Sequence, residues 1–174
     1  EPNITAGLSN TFRYKNWELS ALITVAAGNK IRKPDQYSVD YNDLSVFPKE
    51  MRNRWINPGD EKVTNIPAIA DKRTVNEVGR ATLRRVYNAY NYSTERVVDG
   101  SFVRMKSIGL SYAFPKEVLD QLKVSNLTLR LQATNPFLIY ADKNLNGQDP
   151  EFFRTGGVAY PVNTQYTFTI NLGI

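Results

Sequence analysis

Side chains capable of covalent chemistry are few in this sequence, and what is missing excludes several mechanisms. The chain has no His and no Cys, so Ser-His-Asp and Cys-His catalysis, thiolate zinc sites and disulfides are excluded. Carboxylates, Lys, Tyr and Arg remain. The carboxylate pair Asp60-Glu61 consists of sequence neighbours in a predicted loop, and their side chains need not converge on one substrate. We therefore predict that the chain is not an enzyme and carries no cofactor.

One stretch has the spacing of a calcium-binding loop. Oxygen-bearing side chains recur there at the positions of the first half of such a loop: Asp142, Asn144 and Asn146, followed by Gly147. Phe153 stands where the loop should carry its bidentate Glu, so Asp149 and Glu151 would have to substitute in a non-standard geometry. A turn rich in Gly and Asn explains the same residues. We expect no metal site beyond this weak calcium candidate.

β-strands are the elements that would hold these side chains, because apolar and polar residues alternate along several long segments. In the last eleven residues every second side chain is apolar: Tyr166, Phe168, Ile170, Leu172 and Ile174. The residues between them are polar or small. The same pattern predicts five antiparallel strands, at about 4–14, 17–28, 102–114, 127–140 and 165–174.

The predicted strands are long enough to cross a membrane. A tilted membrane strand needs about 9–11 residues, whereas strands of soluble proteins more often have about 5 or 6. No segment approaches the roughly 18 apolar residues that a membrane helix needs. At this point two all-β folds stay open, a piece of a transmembrane β-barrel and a soluble β-sandwich.

Short and long connections alternate between the predicted strands. The short ones are 15–16 and about 115–126, and the long ones are about 29–101 and about 141–164. Outer-membrane barrels have short periplasmic turns and long extracellular loops, whereas a sandwich has no reason to sort its connections in this way. The order favours an up-and-down barrel with both long connections outside. A connection as long as 29–101 is expected to contain folded elements, including a helical stretch over about 76–90.

Two prolines mark places where regular structure should change. Pro115 suits the first position of a short amphipathic helix in the 115–126 connection, since the missing N–H is not needed there. Pro136 lies inside the fourth predicted strand, where it removes one N–H from the hydrogen-bond ladder. We therefore expect that strand to be disturbed near Pro136.

A set of short motifs resembles one family of transporters. The run from Ser101 to Pro115, with Asp99-Gly100 before it, is similar to a hallmark near the C-terminus of SusC/RagA-type TonB-dependent outer-membrane transporters. Weaker matches follow in the right order along nearly the whole chain: Gly7 to Phe12, Arg54-Trp55, Asn65-Ile66-Pro67, Asp149-Pro150-Glu151 and Tyr160-Pro161. Each motif alone has low specificity, but the ordered set is fairly specific.

The resemblance implies that the chain forms the last five or so strands of a barrel of about 22 strands. A plug domain, absent from this chain, would fill the lumen. The implied partners are the rest of the transporter, a SusD-like surface lipoprotein, TonB in the periplasm and the lipid bilayer. The implied location is the outer membrane of a Gram-negative bacterium of the Bacteroidetes type, and the implied substrates are oligosaccharides or peptides. The alternative is a soluble β-sandwich that binds carbohydrate or protein.

Two groups of residues are candidates for function. On the polar side of the strands, hydrogen-bonding side chains would face the lumen and contact the plug or a solute: Arg13, Thr128, Arg130, Gln132, Thr167, Thr169 and Asn171. In the long connection, aromatic and Arg side chains suit a protein interface or sugar stacking: Trp55, Arg84, Arg85, Tyr87, Tyr90 and Tyr92. The chain carries a net charge of +5, but its strand aromatics alternate with Thr and Ser, so we expect no nucleic-acid partner.

Overall fold

A computed structural model describes residues 1–40, 46–152 and 162–174. The strands are β1 (Ile4–Tyr14), β2 (Trp17–Ala27), β3 (Lys30–Arg32), β4 (Val97–Asp99), β5 (Phe102–Ala113), β6 (Asn126–Ala141) and β7 (Gln165–Gly173). The helices are α1 (Lys72–Val78), α2 (Arg80–Asn91) and α3 (Lys116–Leu122), with short 3-10 helices at Lys49–Asn53, Asp60–Lys62, Thr94–Arg96 and Lys143–Leu145. Phe153 and Tyr160-Pro161, which entered the sequence predictions, lie outside the described residues.

The five long strands form one antiparallel sheet in the order β1-β2-β5-β6-β7. Each predicted strand is confirmed to within one residue at either end. Long strands that are consecutive in the chain are neighbours in the sheet, as in an up-and-down arrangement. In the described residues, β1 pairs only with β2 and β7 only with β6, so the sheet has two outer strands with a free edge.

The two faces of the sheet differ because each strand alternates in phase with its neighbours. One cross-strand row consists of Phe12, Leu19, Leu110, Leu131 and Phe168, and the adjacent row consists of Tyr14, Trp17, Tyr112, Leu129 and Ile170. The opposite side of the sheet carries Thr, Ser, Gln and Arg. The register thus collects the apolar parity of all five strands on one face, which we call the apolar face, and the other parity on the polar face.

The two short connections lie at one end of the sheet. Lys15 and Asn16 form a two-residue turn, as predicted, in which Lys15 adopts the left-handed region with φ 52°. The Asn16 side-chain amide donates to the Ala113 carbonyl at 2.9 Å and ties this turn to β5. The second short connection contains α3. Pro115 precedes this helix as its N-cap residue instead of occupying the predicted first helical position.

The disturbance predicted at Pro136 is confirmed. The pairing of β5 with β6 shifts between Met105 and Ser107, so that Lys106 lies opposite two residues, Asn135 and Pro136. Asn135 has a φ of 51°, a left-handed conformation that Asn tolerates. The pairing of β2 with β5 shifts at the same place. Lys106 is therefore the extra residue of β5 against β2, whereas against β6 the extra residue belongs to β6 at Asn135-Pro136.

The first long connection folds into a small unit with its own core. We call its described part, 30–40 and 46–99, the loop module. Its apolar cluster consists of Tyr37, Met51, Leu83 and Tyr87. Instead of one helix over 76–90, the chain forms α1 and α2, because Gly79 between them adopts a φ of 86° that helical residues cannot share. No helix in the described ranges is long and apolar enough to cross a membrane.

A second apolar cluster joins the loop module to the other long connection. Ile31 of β3 and Val98 of β4 pack on Leu145, with Ala141 beside them. The Asp142 carboxylate accepts hydrogen bonds from the backbone N–H of Asn144 at 2.9 Å and of Asp99 at 3.1 Å. The two long connections are thus packed together at the same end of the sheet.

Replacing Gly100 by Ala is expected to destabilise this junction by about 1–3 kcal/mol, the usual range for overpacking. A Cβ at Gly100 would lie 2.7 Å from Ile31 Cδ1 and closer still to the Asn29 side-chain amide. The expected result is faster hydrogen exchange of the β3 and β4 amides. The control is Gly7→Ala, whose added Cβ would lie 4.0 Å from the Ile23 carbonyl oxygen, an ordinary contact. Unchanged exchange in Gly100→Ala would contradict the proposed close packing.

Candidate functional site

All seven residues predicted to face a lumen lie together on the polar face. One cross-strand row contains Arg13, Glu18, Ser111, Arg130 and Thr169. The row on one side of it contains Gln132 and Thr167, and the row on the other side contains Thr128 and Asn171. The structure therefore brings these residues into one hydrogen-bonding patch near the short connections.

The two arginines of this patch differ in their partners. Arg13 Nε lies 2.6 Å from Glu18 Oε2, in an exposed ion pair. Arg130 has no carboxylate within ion-pair distance among the described residues. Its guanidinium lies over Gly109, since Nη2 and Nε are 3.5 and 3.6 Å from the position that a Cβ on Gly109 would take. Within the patch, Arg13 thus has a carboxylate partner, whereas the exposed Arg130 has none among the described residues.

The apolar face is uncovered across the full width of the sheet. Phe12, Leu131 and Phe168, one row on three strands, are each more than half exposed. Trp17 and Tyr112 contact each other in a tilted arrangement, with ring centroids 4.6 Å apart, at the end that carries the short connections. Soluble monomers rarely expose an apolar patch of more than a few hundred Å². A face five strands wide therefore has to be covered by lipid or by another apolar surface.

The structure corrects one predicted partner-contact residue, Tyr87. Its side chain is only 4% exposed, because it lies one turn from Leu83 on the face of α2 that enters the core of the loop module. The Tyr87 hydroxyl accepts from the Ala70 N–H at 2.7 Å and donates to the Ala68 carbonyl at 3.1 Å. Burial raises the pKa of the Tyr87 phenol. Tyr87 therefore stabilises the fold and is not available to a partner.

Tyr90 is half-buried and also points inward. It makes an edge-to-face contact with Tyr37 at 5.3 Å, and the Arg96 guanidinium lies 5.8 Å from its ring centroid. Burial is the main cause that raises the pKa of Tyr90. Its predicted contact with a partner is therefore limited to the part of the ring that the core leaves open.

The other four predicted contact residues remain at the surface. Arg84 and Arg85 are exposed on α2. The Trp55 indole N–H donates to the Asn57 carbonyl at 2.5 Å. The Trp55 residue is 39% exposed. The Tyr92 hydroxyl donates to Asp35 Oδ2 at 3.1 Å, and its ring lies under the Arg32 guanidinium. These side chains are available for contact with another molecule.

Sequence patterns did not predict the buried charge centre of the loop module, Glu50. Its carboxylate lies 2.5 Å from Lys33 Nζ and 2.5 Å from Nη1 of Arg96, which is only 1% exposed. It also accepts hydrogen bonds from the side-chain amides of Gln36 and, at 3.1 Å, Asn146. Burial alone would raise the pKa of Glu50, but the hydrogen bonds and charges of Lys33 and Arg96 lower it overall.

Two of the calcium candidates, Asp149 and Glu151, form ion pairs instead. Asp149 pairs with Nη2 of Arg104, and Glu151 Oε2 lies 2.8 Å from Arg104 Nε. Glu151 also contacts Lys106 Nζ at 2.7 Å. No cluster of three metal-binding carboxylates occurs in the part of the chain that the structure describes. The geometry gives the calcium interpretation no support, because two of its carboxylates already have cationic partners.

The carboxylate pair Asp60-Glu61 caps turns. Asp60 Oδ2 accepts from the backbone N–H of Ile56 and Asn57, and Glu61 Oε2 accepts from that of Gly59. The backbone N–H of Asn57 is the main cause that lowers the pKa of Asp60. The two side chains thus bind separate backbone groups of one turn.

Comparison with known proteins gives the class to which this sheet is similar. No family model matches the chain. TonB-dependent receptor P39 of Formosa agariphila is 26% identical over 182 residues, which cover 98% of this chain and 16% of the receptor. TonB-dependent receptor P26 of the same organism is 28% identical over 161 residues, which cover 90% of this chain and 14% of that receptor. The chain thus spans about a sixth of the length of the curated relatives it matches.

The fold is similar to part of a solved transporter. A chain of the RagAB peptide importer in its open-open state superposes with a TM-score of 0.66 and 23% identity. The superposition covers 100% of this chain and 17% of that one. The closed-closed state of the same importer gives the same values. The resemblance to SusC/RagA-type TonB-dependent receptors that the motifs indicate is thereby confirmed.

Proposed function

We propose that this chain forms part of the wall of a TonB-dependent outer-membrane transporter. The observation that carries the proposal is the two-faced sheet, whose apolar face is uncovered over all five strands. Lipid covers such a face in a transmembrane barrel, and the opposite parity lines the lumen. The similarity to TonB-dependent receptors over nearly the whole chain supports the same function.

The complete barrel in this proposal has about 22 strands and encloses a plug domain. The free edges of β1 and β7 support further strands on both sides, because a bilayer does not tolerate unpaired backbone groups at a sheet edge. The long connections 29–101 and 141–164 are extracellular loops, and the connections 15–16 and 115–126 are periplasmic turns. The location is the outer membrane of a Gram-negative bacterium of the Bacteroidetes type.

The proposed partners and substrates follow from the resemblance. A SusD-like surface lipoprotein would contact the exposed loop residues Trp55, Arg84, Arg85 and Tyr92, and TonB would energise transport from the periplasm. The substrate would be an oligosaccharide or a peptide. A peptide has the support that the similar solved structures are of a peptide importer.

Cell fractionation tests this function against the alternative, a soluble β-sandwich that binds carbohydrate or protein. We expect the full-length protein that contains this chain to sediment with outer membranes and to need detergent for extraction. A sandwich would need a second sheet over the apolar face and would be soluble. Full solubility without detergent would therefore contradict the transporter.

Replacing Leu8 by Arg is expected to destabilise the inserted barrel by about 2–4 kcal/mol, since an Arg near the bilayer midplane contacts lipid. Leu8 lies in the middle of β1 on the apolar face and is 61% exposed. The matched control is Ser9→Arg, one residue along on the polar face. The measurement is the unfolding free energy in bilayers. Equal losses for both variants would argue against a lipid-facing apolar face.

A further inference from the structure

We propose that Arg130 binds a carboxylate side chain from a part of the same polypeptide that lies outside this chain. The inference rests on the proposed function, in which the polar face lines a filled lumen. It adds to that function a carboxylate partner for Arg130.

Arg130 lies in a preformed groove on the polar face. A cavity of about 390 Å³ at the end with the short connections is lined by three cationic side chains, those of Arg13, Lys15 and Arg130, and by one carboxylate, that of Glu18. Glu18 is already paired with Arg13 at 2.6 Å. Arg130 therefore contributes a positive charge that no carboxylate of the described residues neutralises.

The Arg130 guanidinium lies over Gly109 of the neighbouring strand β5. Nη2 and Nε lie 3.5 and 3.6 Å from the position of a Cβ on Gly109, so a larger residue there would crowd them. Ser111 and Thr169 flank Arg130 in the same cross-strand row and carry hydroxyl groups. Arg130 is exposed. Its guanidinium presents several N–H donors in one plane, the geometry that carboxylates bind in bidentate fashion.

The source of the carboxylate follows from the position of the groove. A cation that becomes covered inside a barrel without a counter-charge would be costly, so a covered Arg130 needs an anionic partner. This chain spans 16% of the length of the similar receptor P39, so most of such a protein lies outside it. An acidic residue within that remainder, present in every copy at a fixed position, is the partner that we assign.

Site-specific photocrosslinking tests the assignment in the full-length protein in native outer membranes. The crosslinker replaces Ser111, which faces Arg130 across β5 and β6, so that Arg130 itself stays intact. We expect an intramolecular crosslink to a peptide that contains Asp or Glu. Arg130→Ala should reduce its yield about tenfold, as expected for a lost charge-assisted hydrogen bond. Arg73→Ala is the control and should leave the yield unchanged, because Arg73 lies in α1, outside the groove, in an exposed ion pair with Glu77.

Two further variants keep the test independent of folding. Gly109→Val retains Arg130 but adds a side chain where the guanidinium lies over Gly109. This variant should also reduce the crosslink yield. Reversing both charges, with Arg130→Glu and Arg at the crosslinked acidic position, should restore it. Membrane fractionation and heat-modifiable gel mobility identify variants that still form the barrel.

Several outcomes would overturn the inference. They are a crosslink that survives Arg130→Ala, a crosslinked peptide without an acidic residue, and no intramolecular crosslink in a folded barrel. If Arg130→Ala instead weakens binding of a carboxylated solute while the crosslinks persist, the partner is a solute and the assignment is wrong. Absence of the protein from the outer membrane would overturn the proposed function as well, so the two failures are distinguishable.

Discussion

Replacing Glu50 by Ala is expected to destabilise the loop module by roughly 3–5 kcal/mol, the usual effect of breaking a buried ion pair from one side. The Arg96 side chain would keep its hydrogen bond to the Pro34 carbonyl at 2.7 Å but would lose its only carboxylate among the described residues. Lys33, 14% exposed in its side chain, would lose its partner too. Two largely buried cations would then lie side by side.

Hydrogen exchange in the full-length protein measures this effect. The Glu50→Ala variant should exchange faster at the backbone amides of Gln36 and Tyr37, which donate to Asn91 in the same core. The sheet amides should be unaffected. The matched control is Glu77→Ala, which breaks an exposed ion pair with Arg73 and should change stability by only about 0.3–0.5 kcal/mol. Equal protection of the module in both variants would contradict the central role of Glu50.

The same carboxylate predicts acid sensitivity. The folded pKa of Glu50 lies below its ordinary value, so its contribution to stability is fully present above that ordinary value. The contribution is lost as the pH falls through the folded pKa, because protonation removes the counter-charge of Arg96 and Lys33. We expect the loop module to open in acid at a higher pH than the sheet unfolds. In Glu50→Gln this acid transition of the module should be much weaker.

Replacing Arg104 by Ala is expected to release the 142–152 segment from the sheet, with a loss of roughly 3–5 kcal/mol. Arg104 is 5% exposed, and the Asp149 side chain is 9% exposed, so the variant leaves a buried carboxylate without its partner. Glu151 would keep only Lys106. Lys106 Nζ lies 2.7 Å from Glu151 Oε1 and would be the one cationic partner left to this carboxylate among the described residues.

Limited proteolysis and hydrogen exchange of 142–152 measure the release. Arg104→Lys should restore only part of the protection, because one ammonium cannot replace Nε toward Glu151 and Nη2 toward Asp149 at the same time. Arg13→Ala is the control, since it removes an exposed ion pair on the same sheet. An Arg104→Ala protein with a fully protected 142–152 segment would show that the segment is held by other contacts.

The sheet could be predicted from the sequence because the face of a strand residue depends only on its parity. Tyr166, Phe168, Ile170 and Leu172 share a face in the structure as they share a parity in the sequence. The turn at Lys15-Asn16 and the disturbance at Pro136 depend on two or three neighbouring residues and were predictable for the same reason. The seven polar residues of the candidate site were brought together by that parity and by the strand register.

Predictions in the loop module succeeded less well. Tyr87 has the residue type of an interface contact, but its helical position next to Leu83 directs it into a core whose other half, Tyr37 and Met51, lies far away in the sequence. The helical stretch over 76–90 was placed correctly in part, yet Gly79 divides it. Local pattern identifies a helix and does not show which side of it will find a core.

The sequence by itself determined the two-faced character and the length of the five long strands and the sorting of their connections into short and long, but not the short strands β3 and β4. These properties arise from neighbouring residues and from backbone geometry. Only the tertiary structure decided which charges meet. Glu50 and Arg96 are 46 residues apart, and Arg104 and Asp149 are 45 apart. An ion pair of this kind has no period or motif, because it forms only where the folded chain returns on itself and excludes water from both partners.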